Sequence, residues 1–347
     1  MSPLFLAPPS SAVIAHPRFA FVTKGQAFEA TCLVHGGAWD IPAALSEAHR
    51  LGVARAFDAV QRGLQASLDP LDALLAGIDV LEDDPIFDAG HGSFLNEDGE
   101  VELDAGVMEG TTLQAGAVAS LAAFAHPARI AAEVMRHTEH VLLVGDGAAR
   151  FARGRGFVAL PSEALVHARE REAHARWVAS GRPSARVFFG ALDSGSTAGP
   201  EPQKRGTVGA VLALRERPNG ASASAEGSGP WQLFTATSTG GTPGKKKGRV
   251  GDVPVPGAGF YADNLGACVS ATGWGEAFLR LLPAKRVSDL CAQGLSAQDA
   301  VERALQEVLV RTGGRGGLIA ISARGDVGVA SSTPDIAVRA PQVVCLG

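Results

Sequence analysis

The sequence predicts an α+β fold in which sheets are sandwiched between layers of helices. Three observations carry that reading. Strand-like apolar runs occur in both halves of the 347-residue chain, helix-periodic segments flank them in both halves, and the strict βα alternation of a TIM barrel or Rossmann fold is missing. A chain of this length buries a substantial core, as one large domain or two ordinary ones.

Taken in order, residues 1 to about 28 read as a poorly ordered extension. "EATCLVHGGAWDIP" reads as a buried strand ending in a glycine turn at Gly36-Gly37. Apolar residues recur at helical spacing from Pro42 to about Leu68, and "DPLDALLAGIDVLEDD" supplies a second helix with Asp69 and Pro70 at its start. "VELDAGVM" and "QAGAVASL" are strand candidates, Pro127 opens the helix "PARIAAEVMRH", and "HVLLVG" returns as a strand. From about 161 to 206 periodicity is lost after one charged helical piece, "REREAHARWVAS", and the tail has the composition of a mobile linker. The second half is rich in strands: "TVGAVLAL", "WQLFTATST" and "ACVSAT". Two helices follow, roughly 274–293 and 296–311, the latter with Ser296 and Asp299 in capping-box positions. "GLIAIS" and "DVGVAS" close the fold as a strand pair.

A net charge of −5 gives no global attraction to nucleic acid or to an anionic membrane, so neither is expected as a partner. The one basic run, Lys245-Lys246-Lys247 with Arg249, reads as a solvated loop. Cys32, Cys268, Cys291 and Cys345 lie too far apart for a CxxC motif, and read as free thiols of a reducing compartment. With no apolar run of the roughly 18 residues a span requires, and no basic region ahead of the N-terminal apolar patch, the expected location is the cytoplasm. HExxH and GxSxG are absent, and "TSTGGTPGKKK" fails the phosphate-loop spacing at both ends.

At Gly206-Thr207 a Pro/Gly/Ser-rich segment gives way abruptly to a strand-like run. Inside a chain a threonine hydroxyl has no attached base, and a Gly-Thr pair ahead of a strand is ordinarily only its start. If the bond between the two residues is cut, Thr207 gains an α-amine with a reference pKa of about 7.7–8.0. That amine is partly neutral near pH 7 and can take the proton of its own side chain. The β-branch narrows χ1, and Gly206 has no Cβ to hinder a strained scissile bond.

The company of this threonine adds to that reading. "GTVGAVLAL", "ATSTGGTPGKKKGRVGDVPVPGAGFYADN" and "VSATGWGEAFLR" resemble the plant-type L-asparaginase and isoaspartyl peptidase family of N-terminal-nucleophile hydrolases. So do "HGGAW", "LEDDPIFDAGHGSFLNEDGEVELDAGVMEGTTLQAGAVA" and "GGRGGLIAI". The likeness covers about residues 33–155 and 205–340, in the family's order and spacing. It implies a four-layer αββα sandwich, self-cleaved into an α chain (1–206) and a β chain (207–347) that form one structural domain and work as a dimer of αβ units. It implies Thr207 as nucleophile and Thr239 as the second hydroxyl that orients it; read alone, Thr239 is equally a strand-end threonine. Thr272 and the Gly273 N–H match the oxyanion hole, and Gly275 permits close backbone approach to a ligand.

Arg249 and Asp252 suit an amino-acid head group, the guanidinium gripping an α-carboxylate and the carboxylate an α-ammonium. Read alone, a mutual surface ion pair is the favoured reading of the two. The resemblance implies head-group binding, which leaves the side-chain amide of a β-aspartyl substrate facing Thr207. It also maps a sodium loop of main-chain oxygens onto Leu81, Glu82, Asp84, Phe87, Ala89 and His91, a stretch that is otherwise a tight loop; no cofactor is implied for catalysis. His35 reads as structural. Three positions depart from the family: Asp88 replaces an asparagine of the substrate pocket near the nucleophile, Trp274 replaces a small residue or threonine, and Ser331-Ser332-Thr333 replaces an "FNT" pattern. Two other functions fit the same residues: a glycosylasparaginase, and an uncleaved relative that binds acidic amino acids.

Overall fold

The protein is described by a computed structural model over residues 18–23, 26–66, 69–184, 206–217, 229–339 and 344–345. The first half comprises β1 (Arg18–Thr23), β2 (Gln26–Trp39), α1 (Ala43–Gln65), α2 (Pro70–Asp83), β3 (Leu103–Glu109), β4 (Ala115–Leu121), α3 (Pro127–His137), β5 (Leu142–Val144), α4 (Gly145–Gly154) and α5 (Ala168–Ala179). The second half comprises β6 (Val208–Glu216), β7 (Gln232–Thr239), β8 (Phe260–Ala262), β9 (Ala267–Gly273), α6 (Gly275–Leu281), α7 (Pro283–Ala292), α8 (Ala297–Thr312), β10 (Gly316–Ser322), β11 (Val327–Ser331), β12 (Asp335–Arg339) and β13 (Val344–Cys345). The fold is mixed α+β.

One sheet has the order β1-β2-β6-β7-β3-β4-β5, with β12 also paired to β2; the other has the order β13-β11-β10-β9-β8. The hairpin β6–β7 of the second half is thus inserted between β2 and β3 of the first. Period-two alternation makes the central strands serve two cores. On β6, Val208, Ala210 and Leu212 join the core shared with α1 and α2. Val211 and Ala213 face Cys268, Ile319 and Ile321 of the other sheet. On β10 the alternate residues Leu318 and Ala320 pack with Val301 and Leu305 of α8.

Local chemistry explains the helix ends. Asp69 accepts the Leu71 N–H at 3.0 Å ahead of Pro70, and Ser296 accepts the Asp299 N–H at 3.1 Å. The helix expected over 274–293 is two helices. Pro283 has no N–H and disfavours helical geometry before it, and Leu282 takes φ 50° as the chain turns from α6 into α7.

Three other expectations are corrected. The extension expected through residue 28 contains β1 and the start of β2, because Arg18–Thr23 pairs antiparallel with Gln26–Thr31. Residues 161–184, the first part of the linker expected over about 161–206, are structured. Leu165 joins an apolar cluster with Leu95, Val101 and Leu103, and α5 carries Glu170 buried against Arg169. The remainder, 185–205, lies outside the described residues. Gly36 and Gly37 do not end a strand either: β2 continues to Trp39. A Cβ on Gly36 would fall 2.2 Å from the Phe87 ring, so the glycine is required by packing rather than by a turn.

Cys32, Cys268 and Cys291 are buried free thiols. No helix among the described residues is long and apolar enough to cross a membrane.

Candidate active site

Thr207 stands at the foot of β6. The pair Val208↔Ser238 puts it across from Thr239, the last residue of β7, while Asp104 of β3 flanks Thr239 on the other side. The Thr207 hydroxyl donates to Thr239 Oγ1 at 3.1 Å, and the Thr239 hydroxyl donates to Asp88 Oδ2 at 3.3 Å. Thr239 Oγ1 also accepts the Gly241 N–H at 3.0 Å. Asp88 Oδ1 is fixed by the Phe94 N–H at 3.0 Å. The sequence reading brings these three side chains together, and the structure orders them as a line of donors ending on a carboxyl group. Burial pushes Asp88 up to about 7, against the pull of the Phe94 N–H and the Lys245 charge.

The peptide ahead of Thr207 is tightly enclosed. Gly37 takes φ +102°, and a Cβ there would lie 2.5 Å from the Gly206 Cα, so the two backbones touch. A Cβ on Gly206 would lie 3.0 Å from Thr272 Oγ1, a buried hydroxyl without a hydrogen-bond partner. His35, just before these glycines on β2, is 2.7 Å from Ser270 Oγ and ties the two sheets together. Burial pushes it down to about 3, outweighing a hydrogen bond with the Thr207 backbone, so the ring stays neutral and structural.

Arg249 and Asp252 do not form the mutual surface pair that was one reading of their spacing. Arg249 sends Nε to Glu276 Oε1 at 3.0 Å, with Nη2 2.9 Å from the same oxygen. Asp252 is buried, and its Oδ2 has no partner. A Cβ on Gly275 would lie 2.8 Å from Asp252 Oδ1 and 2.9 Å from Arg249 Nη2, so a cation and an anion line one glycine-floored recess. Leaving a buried acceptor unpaired costs roughly 1–3 kcal/mol, so the recess has an acceptor to offer a donor that enters it.

Burial pushes Asp252 up to about 7, with Arg249 pulling the other way. An ammonium needs the ionised carboxylate, so its binding competes with a proton held up to about pH 7. If an α-amino substrate binds here, its KM rises as pH falls through about 7, which a steady-state pH series checks. In Asp252→Asn the KM should be higher and lose that dependence.

Lys245 corrects the reading of the basic run as solvent-facing. Its side chain is 4% exposed, and Nζ donates to the Glu102 carbonyl at 2.7 Å. Lys246 and Lys247 are exposed and pair with Glu97 and Glu100. Neither the burial of Lys245 nor the contact of Glu276 is legible in the sequence. Their partners lie over a hundred residues and 27 residues away, and no spacing rule links them. Trp274 caps α6, its ring 5.8 Å from the Arg280 guanidinium, and Gly273 precedes it at φ +155°. Ser331, Ser332 and Thr333 are buried, and Ser331 Oγ is 2.7 Å from Thr333 Oγ1.

Leu81 and Glu82 end α2, and Asp84, Phe87, Ala89 and His91 lie in the loop that follows. The Asp84 and Ala89 carbonyls accept the Phe87 and Gly92 N–H groups at 3.1 Å each, and each keeps a second lone pair. The Glu82 carbonyl oxygen lies 2.3 Å from the Cβ position of Gly90, so it points into the loop rather than to solvent. Such a donor set suits a hard cation. Asp79, Glu82 and His126 also bring ligand atoms within 4.8 Å of one another. However, Arg129 binds both Asp79 oxygens, at 3.0 and 2.8 Å, and His126 Nδ1 is 3.2 Å from Glu82, so this group is an ion-pair network.

A family profile described as asparaginase matches residues 28–342, which spans the whole of this site. The chain belongs to the asparaginase family. It is 39% identical over 311 residues to an isoaspartyl peptidase of Escherichia coli, covering 88% of this chain and 90% of that one. It is 37% identical over 298 residues to an isoaspartyl peptidase/L-asparaginase of Xenopus laevis, covering 85% and 86% of the two chains. A mouse protein of the same description is 38% identical over 295 residues, covering 85% and 82%.

Proposed function

We propose that this chain is a self-cleaving threonine hydrolase that acts on β-aspartyl dipeptides and L-asparagine through a covalent β-aspartyl acyl-enzyme. The observation that carries the reading is the aligned Thr207–Thr239–Asp88 hydrogen-bond line beside a recess holding Arg249 and the unpartnered Asp252. The family relationship supports it, since relatives matched along most of their length carry those activities in their names.

In this mechanism cleavage after Gly206 frees the Thr207 amine. Arg249 holds the substrate α-carboxylate and Asp252 its α-ammonium, which presents the β-carbonyl to Thr207. The amine takes the hydroxyl proton as Oγ1 attacks, while Thr239 fixes the direction of the hydroxyl. Thr272 and the Gly273 N–H stabilise the oxyanion. The leaving amine departs with the proton, and water then releases aspartate from Thr207. Asp88 reaches the nucleophile through Thr239. Trp274, at the start of α6, borders the leaving-group side. At the last turn of α2 and in the loop that follows, the main-chain oxygens of Leu81, Glu82, Asp84, Phe87, Ala89 and His91 would hold a sodium ion, whose charge would stiffen the backbone carrying Asp88.

The same reading takes the three successive cores as a four-layer αββα sandwich and the halves 1–206 and 207–347 as α and β chains of one domain. It takes the working form as a cytoplasmic dimer of αβ units. The deciding experiment pairs a denaturing gel with assays on β-aspartyl dipeptide, asparagine and glycosylasparagine. Two fragments split at residue 206, with the dipeptide and asparagine hydrolysed, are expected. A persistent full-length band without turnover would overturn the reading.

A further inference from the structure

We infer that Glu276 is a positioning residue for the substrate head group: it holds the Arg249 guanidinium by its side edge so that the end edge is presented to the substrate carboxylate. This rests on the proposed function of the site and adds to it the group that sets the Arg249 geometry.

A guanidinium offers two forks, one made by Nε and Nη2 and one by Nη1 and Nη2, and each can grip a carboxylate. Glu276 Oε1 stands at the first, accepting from Nε at 3.0 Å and lying 2.9 Å from Nη2, which itself has no hydrogen-bond partner and is left for the second. The second fork faces three glycines. Cβ atoms on Gly241, Gly251 and Gly275 would lie 3.4 Å from Nη1, 2.8 Å from Nη1 and 2.9 Å from Nη2 respectively. Any side chain at these positions would crowd the fork, so the space in front of it is kept clear. Asp252 Oδ1 borders the same recess, 2.8 Å from the Gly275 Cβ position.

The division of labour follows from exposure. Arg249 is 15% exposed while Glu276 is 47% exposed, so the carboxylate stands at the mouth and the guanidinium reaches inward. Glu276 lies in the first turn of α6, directly after Gly275. The helix that supplies the glycine floor therefore also supplies the anchor for the cation above it. Without Glu276, Arg249 is a long side chain free to sample several rotamers, and binding must then fix it.

The test uses the cleaved enzyme and L-aspartate as the probe of the head-group recess, followed by calorimetry, alongside KM and kcat for a β-aspartyl dipeptide. Glu276→Ala should weaken aspartate binding and raise KM by roughly three- to tenfold, the cost of ordering one long side chain. The change in kcat should stay under about twofold, since the anchor binds ground and transition states alike. Glu276→Gln, which keeps an acceptor for Nε, should recover part of the loss. Unchanged or tighter binding in Glu276→Ala would overturn the inference, the latter by showing the carboxylate to be a competitor for Arg249. If Arg249→Ala weakens binding in the same series while Glu276→Ala does not, the proposed function stands and only this inference falls. If the wild type binds no aspartate, both fall.

Discussion

Thr207→Ala should give a single full-length chain and lose turnover by roughly 10⁶-fold, the loss met when a covalent nucleophile is removed. The hydroxyl of Thr207 has one described partner, the Thr239 oxygen at 3.1 Å, and the residue is almost fully buried at the foot of β6. Alanine removes the attacking oxygen for both the internal Gly206–Thr207 bond and an external substrate. It also leaves Thr239 with its bonds to Asp88 and to the Gly241 N–H, so the surrounding geometry has reason to persist. Intact mass and a dipeptide assay on the same sample check both losses. Fragments of residues 1–206 and 207–347 in this variant would require a different attacking group.

Thr272→Val should lower kcat by about 10²–10³-fold, measured on the cleaved fraction, without lowering Tm. The kinetic half follows from removing one oxyanion donor. The stability half follows from the state of the hydroxyl: it is 1% exposed and has no hydrogen-bond partner. A buried polar group left unpaired costs roughly 1–3 kcal/mol, so an apolar group of similar shape there is neutral or favourable. Thermal denaturation beside single-turnover kinetics separates the two halves. A fall in both Tm and kcat would mean that the hydroxyl is a structural partner.

Much of this architecture is legible in the chain because local rules and tertiary demands agree. β6 alternates between two cores, so its apolar run reads as a buried strand; α2 and α8 announce themselves by Asp69-Pro70 and by Ser296 with Asp299. The misreadings share a physical cause, which is that the deciding contact is remote. Gly36 and Gly37 have the composition of a turn, but Phe87 and Gly206 press against them within a strand. Lys245 sits in a run of cations, yet the Glu102 carbonyl and neighbouring carboxylates hold it inside. Among the candidate site residues, the motifs single out Thr207, Thr239, Arg249, Asp252, Thr272 and Asp88, and the structure brings them into one region. The contact of Arg249 with Glu276 is not legible there, since the sequence read alone favours Asp252, three residues away, as its partner.

The insertion of β6 and β7 between β2 and β3 has a consequence for a nicked chain. From Phe28↔Glu216 to His35↔Gly209 and from Asp104↔Thr239 to Glu109↔Phe234, the two halves are zipped along both sides of one hairpin. Severing the backbone at residue 206 therefore alters covalent connectivity while leaving a single particle. A 207–347 polypeptide made alone would present two raw strand margins to solvent, an invitation to aggregate. Under the proposed function the uncut chain would be a scaffold for its own assembly, closing that hairpin into place before the tether is cut.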